Sequence, residues 1–179
     1  LQSDRFAYIR NRFMVVLDHS LDPLGAGFQQ SRSLLAIGSG QLTGQGYLNG
    51  TQTQASYSAA LPARQTDFIF SVCGEELGMV GCLLLLLVLA LIILRCYWVG
   101  RNASSPFSAY VSMGIAGMLL AQVFFKVGMC LYILPVMGLT LPFFSYGGSS
   151  IITLYAAMGL VSSAKARALP SWLRDRGAL

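Results

Sequence analysis

Three of the seven acidic side chains of this chain fall within one short stretch, TDFIFSVCGEELG: Asp67, Glu75 and Glu76. The run that follows, LGMVGCLLLLLVLALIIL, has no charge at all. A carboxylate in a partly dry cavity can be shifted toward neutrality and serve as a general base. It can also share a divalent cation with a phosphate-bearing ligand. Asp67 is the candidate catalytic base. Glu75 and Glu76 are candidates for a cation or structural role, or simply mark an interface and pair with arginines. Further along, Gln122 and Lys126 lie four apart and so share one helix face. Lys126 either snorkels to an interface or faces a cavity and meets a phosphate or carboxylate. In LPVMGLTLPFFSYGGSS, the hydroxyls of Ser145, Tyr146, Ser149 and Ser150 can bind a substrate or satisfy backbone groups freed by the prolines and glycines.

The elements that must hold these residues are set by composition. Of 179 residues, 55% are hydrophobic and only 11% charged, with mean hydropathy +0.62. A soluble domain has about a quarter of its residues charged. A membrane span needs about 20 apolar residues, and the uncharged runs supply three spans, near 77–96, 106–131 and 147–164. The expected fold is therefore an all-α polytopic membrane protein. It has a long outer segment (1–76), a three-span region (77–164) and a basic tail (165–179). The first 76 residues hold five basic and six acidic groups, whereas residues 95–179 hold seven basic and one acidic. Lys and Arg favour the cytoplasmic side. That places 1–76 and the 132–146 connector outside, with Arg95, Arg101 and the C-terminus inside. The positive charge is topological and lipid-directed, and no basic-aromatic constellation points to nucleic acid. Cys73, Cys82, Cys96 and Cys130 match no zinc or disulfide spacing and read as buried small apolar residues.

In the outer segment, DRFAYIRNRFMVVL has apolar residues at helical spacing and reads as a helix on the membrane surface or on another span. FQQSRSLLAI reads as a second helix. GSGQLTGQGYLNG holds five glycines, which let backbone approach a ligand closely or adopt positive φ; by composition alone it reads rather as a flexible linker, and no Gly-Lys-Ser/Thr makes it a P-loop. A continuous helix from Asp67 to Leu94 would be about 42 Å long, longer than the roughly 30 Å hydrocarbon core. Either its first turns project outward or it bends. The three acids cannot all face lipid.

DPLGAGFQQSRSLLAIGSG, GQGYLNGTQTQ, LPARQTDFIFSVCGEELG and LPVMGLTLPFFSYGGSS, in this order, resemble the C-terminal half of the SEDS family (shape, elongation, division and sporulation). The pattern is more similar to the elongation branch (RodA) than to the division branch (FtsW). The resemblance implies a peptidoglycan glycosyltransferase of the bacterial inner (cytoplasmic) membrane, with a fold of about ten helices. Such an enzyme polymerises lipid II, the undecaprenyl-pyrophosphate-linked disaccharide-pentapeptide, beside a class B penicillin-binding protein that crosslinks the peptides. It implies that Asp67 deprotonates the acceptor hydroxyl, which displaces the lipid pyrophosphate with inversion. Lys126, Gln122, Ser145, Tyr146, Ser149, Ser150 and Gln52 form the substrate-binding set, and Mg2+ or Mn2+ is a candidate cofactor. The chain departs from the family where Lys126 replaces a common Asn, where Gly40-Gln41 replaces Gly-Gly, and where Ala63-Arg64 follows LP in place of a frequent acid. Residues 1–179 alone are expected to be inactive, because the groove needs the missing helices.

Two other functions use the same features. A lipid II flippase would depend on groove-facing charge such as Lys126. A scaffold that only binds the penicillin-binding protein would tolerate loss of both Asp67 and Lys126.

Overall fold

The computed structural model describes residues 26–54 and 66–167. The surface helix expected on DRFAYIRNRFMVVL, and most of the basic tail, lie outside the described residues. The described residues fold as four helices, without a strand among them: α1 (Ala26–Ser39), α2 (Ile69–Arg101), α3 (Pro106–Cys130) and α4 (Gly148–Ala166). Two of these, α2 and α3, are long and apolar enough to cross a membrane. The helix expected on FQQSRSLLAI is the body of α1. The boundaries of α3 and α4 fall within two residues of the expected second and third spans.

Helix α2 has 33 residues, about 50 Å of rise. It begins eight residues before its uncharged run and so takes in Glu75 and Glu76. It is not one continuous rod. Gly78 sits at φ +69°, ψ −166°, and breaks the hydrogen-bond ladder there. The break divides the helix into a short first segment that carries Glu75 and Glu76 and a long leucine-rich second segment. Arg101 closes the helix, and Asn102 returns both its backbone N–H and its side-chain Nδ2 to the Trp98 carbonyl (3.2 and 2.8 Å). Pro106 then opens α3 at a position where its missing N–H costs nothing.

Helix α2 packs mainly on α3, and both touch α4. The core forms two clusters along the bundle. One joins Phe68, Phe70, Cys73, Cys82, Leu85 and Leu89 to Met129, Cys130 and Leu141. The other joins Cys96 and Val99 to Ala116, Leu119, Leu154, Val161 and Ala164. All four cysteines are buried free thiols, as their spacing suggested. Small residues let the helices approach: Gly100 lies against Ala109 and Met113 of α3. At that same end, the Ser104 hydroxyl donates to the Arg167 carbonyl (3.0 Å). The α2–α3 turn and the end of α4 thus meet, with Arg95, Arg101, Lys165 and Arg167 around them. The acids lie at the other end.

Candidate active site

The glycine-rich stretch is not a linker. Residues 41–46 dock into the break in α2 and replace the hydrogen bonds that the break removes. Gln45 N–H donates to the Glu75 carbonyl (2.9 Å) and Gly46 N–H to the Glu76 carbonyl (3.0 Å). In return, Met79 N–H donates to the Gln41 carbonyl (2.9 Å) and Val80 N–H to the Leu42 carbonyl (3.2 Å). Backbone groups at membrane depth must be paired inside the protein, and the loop does this by backbone alone. That contact explains the glycines. Gly78 and Gly44 both have positive φ, and a Cβ on either would fall on the backbone of the other segment. Composition pointed to a linker because the partner of the loop lies some thirty residues away and offers no side-chain signal.

The two glutamates are spent on the same loop. Glu75 is fully buried. Its Oε1 accepts from Gln52 N–H (2.7 Å) and from the Thr51 hydroxyl (3.2 Å), and its Oε2 accepts from Thr53 N–H (2.9 Å). Glu76 accepts from Gln54 Nε2 (3.0 Å). Of the two roles open to this pair, the geometry fits the structural one. Gln52 belongs to this support as well: its side chain accepts from Arg32 (3.1 Å) while its backbone holds Glu75.

Asp67 lies just before α2, on a turn, with its side chain 32% exposed. Its Oδ1 faces Lys126 Nζ at 3.3 Å. Lys126 has no solvent exposure, so the snorkelling orientation does not occur. Its ammonium also donates to the Leu139 carbonyl (2.6 Å). Leu139 belongs to the connector between α3 and α4, and this connector is tied to the Asp67 turn a second time. The buried Ser145 hydroxyl accepts from Leu141 N–H (2.8 Å) and donates to the Thr66 carbonyl (2.9 Å). Ser145 thus positions the neighbour of Asp67 and has its hydroxyl committed to the protein, while Tyr146 points outward at 78% exposure. Phe143 stacks edge-on against Tyr155 of α4 (6.0 Å between centroids) and anchors the other side of the connector.

A cavity of about 360 Å³ with a mixed polar and apolar lining opens beside this connector. Gln122, Leu139, Thr140, Ser149 and Ser150 line it. Thr140 and Ser150 share a hydrogen bond (2.7 Å). The Gln122 Oε1 is buried and takes no hydrogen bond among the described residues. Of the expected substrate-binding set, the fold therefore brings Gln122, Ser149 and Ser150 to one cavity, with Lys126 behind its wall. Ser145 and Gln52 belong to the scaffold.

Reading the sequence alone missed the pins that hold α1 on the bundle. Gln30 Nε2 donates to the carbonyls of Met129 (3.1 Å) and Leu134 (2.6 Å). Ser33 donates to the Cys130 carbonyl (2.9 Å) and meets Ser71 at 2.5 Å. These side chains reach the Met129 and Cys130 carbonyls at the C-terminus of α3, which have no partner within the helix, and the Leu134 carbonyl in the connector beyond it. The available signal was the pair of polar residues three apart on an otherwise apolar face.

Comparison with known proteins agrees with this architecture. The model of the cell cycle protein family that groups FtsW, RodA and SpoVE matches residues 5–168. The peptidoglycan glycosyltransferase MrdB of Escherichia coli K12 is 47% identical over 156 residues, covering 87% of this chain and 41% of the relative. The probable peptidoglycan glycosyltransferase FtsW of Wigglesworthia glossinidia brevipalpis is 41% identical over 157 residues, covering 86% and 40%. Among solved structures, a chain from a study titled "Structural coordination of polymerization and crosslinking by a peptidoglycan synthase complex" superposes with a TM-score of 0.68 at 36% identity, over 86% of this chain and 40% of that one. A variant of the rod shape determining protein RodA of Thermus thermophilus superposes with a TM-score of 0.58 at 34% identity, over 86% and 44%. The chain spans about two fifths of the length of these relatives. With a family match along nearly its whole length, over the turn that carries Asp67 and the helix that carries Lys126, this chain belongs to the FtsW/RodA/SpoVE family of membrane proteins.

Proposed function

We propose that the protein to which this chain belongs is a glycan polymerase that uses lipid II, with Asp67 as its general base. The observation that carries this reading is the Asp67 carboxylate: partly exposed, held by a buried lysine, and set at the end of the bundle opposite the arginines. A lipid-anchored sugar presents its reactive carbons just outside the bilayer, and a base at that height can reach them. In the proposed reaction, Asp67 takes the proton from the acceptor hydroxyl. The hydroxyl oxygen then bonds to the anomeric carbon of the donor, and the bond from that carbon to the lipid diphosphate breaks with inversion. The cavity lined by Gln122, Thr140, Ser149 and Ser150 offers polar contacts for the sugar or diphosphate portion. The names of the relatives, peptidoglycan glycosyltransferases, support the same reaction class.

Several finer features belong to this proposal. Helix α4 would be a third span, and residues 1–76 would lie outside the inner membrane with the C-terminus in the cytoplasm. The grouping of Arg95, Arg101, Lys165 and Arg167 at one end supports that orientation. A class B penicillin-binding protein would be the partner, which fits the neighbour described as part of a synthase that coordinates polymerization and crosslinking. Among the described residues, no three His, Cys, Asp or Glu side chains gather to hold a metal. Mg2+ or Mn2+ would enter with the substrate diphosphate.

The test uses the full-length protein with its penicillin-binding partner, wild type beside Asp67→Asn, incubated with labelled lipid II and a divalent cation. A glycan ladder on a gel that vanishes in the variant supports the reading. If wild type binds lipid II and makes no ladder, the polymerase reading fails and transport or scaffolding takes its place.

A further inference from the structure

Lys126 was expected to face the substrate, and its surroundings give it a different task. It is a lysine with no solvent exposure. Burying an ammonium is costly unless it is paired and hydrogen-bonded. Lys126 meets that cost with two acceptors from separate segments, Asp67 Oδ1 at 3.3 Å and the Leu139 carbonyl at 2.6 Å. One side chain of α3 therefore links the turn that holds the acid to the connector that walls the cavity. Gln122, one turn earlier on the same face, lines that cavity, while Lys126 sits behind it.

A lysine that grips a phosphate must offer its ammonium to the space the phosphate enters. Lys126 offers no such surface. We propose that Lys126 is a positioning residue: it fixes Oδ1 of Asp67 and the connector wall together, and leaves the second oxygen of Asp67 to take the proton. Among the described residues, no donor takes that second oxygen. The inference rests on Asp67 being the general base, as proposed above. Losing the tether frees both the carboxylate and the wall, and a displacement of about 1 Å at a reacting group can cost roughly a hundredfold in rate.

The experiment uses the full-length protein with its penicillin-binding partner in lipid nanodiscs and labelled lipid II. Turnover, KM and lipid II binding are measured for wild type, Lys126→Met, Lys126→Arg, Asp67→Asn and the double variant Asp67→Asn/Lys126→Met. A residue that acts through Asp67 lowers kcat by at least about tenfold in Lys126→Met, with KM and binding within about twofold. Arginine, which keeps the charge and can donate to both acceptors, recovers most of the rate. In the Asp67→Asn background, adding Lys126→Met changes the residual rate by less than about twofold, because the two sites act as one. Two results overturn the inference: unchanged turnover in Lys126→Met, or a tenfold rise in KM with kcat intact, which would make Lys126 a substrate ligand. Melting temperatures of the same four-membered cycle give a readout that needs no activity. Additive effects there overturn the pairing, and coupled effects support it. Lys126→Gln, which keeps a donor without the charge, serves if Lys126→Met does not fold. If wild type makes no glycan, the polymerase reading fails on its own, and the melting cycle still decides whether Lys126 holds Asp67.

Discussion

Replacing Glu75 gives the sharpest test of how the glycine-rich loop is held. Its carboxylate is fully buried and accepts from two backbone N–H groups and one hydroxyl. Glu75→Ala leaves the Gln52 and Thr53 N–H groups without their acceptor. A hydrogen bond to a charged group contributes about 1.5–3 kcal/mol, and a buried donor left unsatisfied costs about 1–3 kcal/mol. Two such donors give a loss of roughly 3–6 kcal/mol for Glu75→Ala. Glu75→Gln keeps one acceptor oxygen but turns an amide N–H2 toward a backbone N–H, so it should lose about half as much. Glu76→Gln is the control: Glu76 accepts one side-chain bond from Gln54, worth about 1 kcal/mol. The assay is thermal unfolding of the full-length protein in detergent, followed with a thiol-reactive dye that reads exposure of Cys73, Cys82, Cys96 and Cys130, all buried in the fold. The expected order of melting temperatures is wild type, Glu76→Gln, Glu75→Gln, Glu75→Ala. Equal melting of Glu75→Ala and wild type would refute the structural role. A wild-type gain with Mg2+ that Glu75→Ala abolishes would refute it differently, by making Glu75 a cation ligand.

Two further predictions concern the segments around the site. Gly78→Ala places a side chain in an extended positive-φ conformation that glycine alone populates, at about 1–3 kcal/mol, and also drives its Cβ onto Gly44 N; a marked loss of folded protein on size-exclusion chromatography is expected, and normal yield would contradict the break. Ser145→Ala strips partners from Leu141 N–H and the Thr66 carbonyl; a stability loss of about 1–3 kcal/mol with lowered glycan synthesis is expected, read by melting and by the ladder assay.

The features legible in the sequence were those written in one segment. The uncharged runs located α2 and α3, and the proline and glycine positions located the start of α3 and of α4. The four-residue spacing of Gln122 and Lys126 put both on one helix face but left open which way that face turns. Even the onset of the first uncharged run at Leu77 falls beside the break at Gly78. What stayed hidden depends on pairs of distant segments. The loop that fills the break pairs through backbone atoms, and its glycines mark the close approach without naming the segment approached. Whether Lys126 snorkels or turns inward depends on Leu139 and Asp67, and no local rule selects between the two. Ser145 and Gln52 looked like ligand groups because a hydroxyl or amide that serves the scaffold is chemically the same as one that serves a substrate.

The break at Gly78 also bears on how the protein is assembled. A peptide holding only α2 lacks residues 41–46, so nothing outside it would accept Met79 and Val80 N–H or cap the Glu75 and Glu76 carbonyls. In a bilayer such a segment has one way to pair those groups, which is to close the ladder and become a straight rod. Closing it would swing the Asp67 turn to a new heading relative to the lower half. The glycine loop therefore acts as a splint that is made before the bone it sets: it leaves the ribosome first and can pair only once α2 has been made. A cut, tag or inserted domain between residues 40 and 54 should consequently disturb the membrane helix as much as the loop, even though no residue of that loop lies within a span.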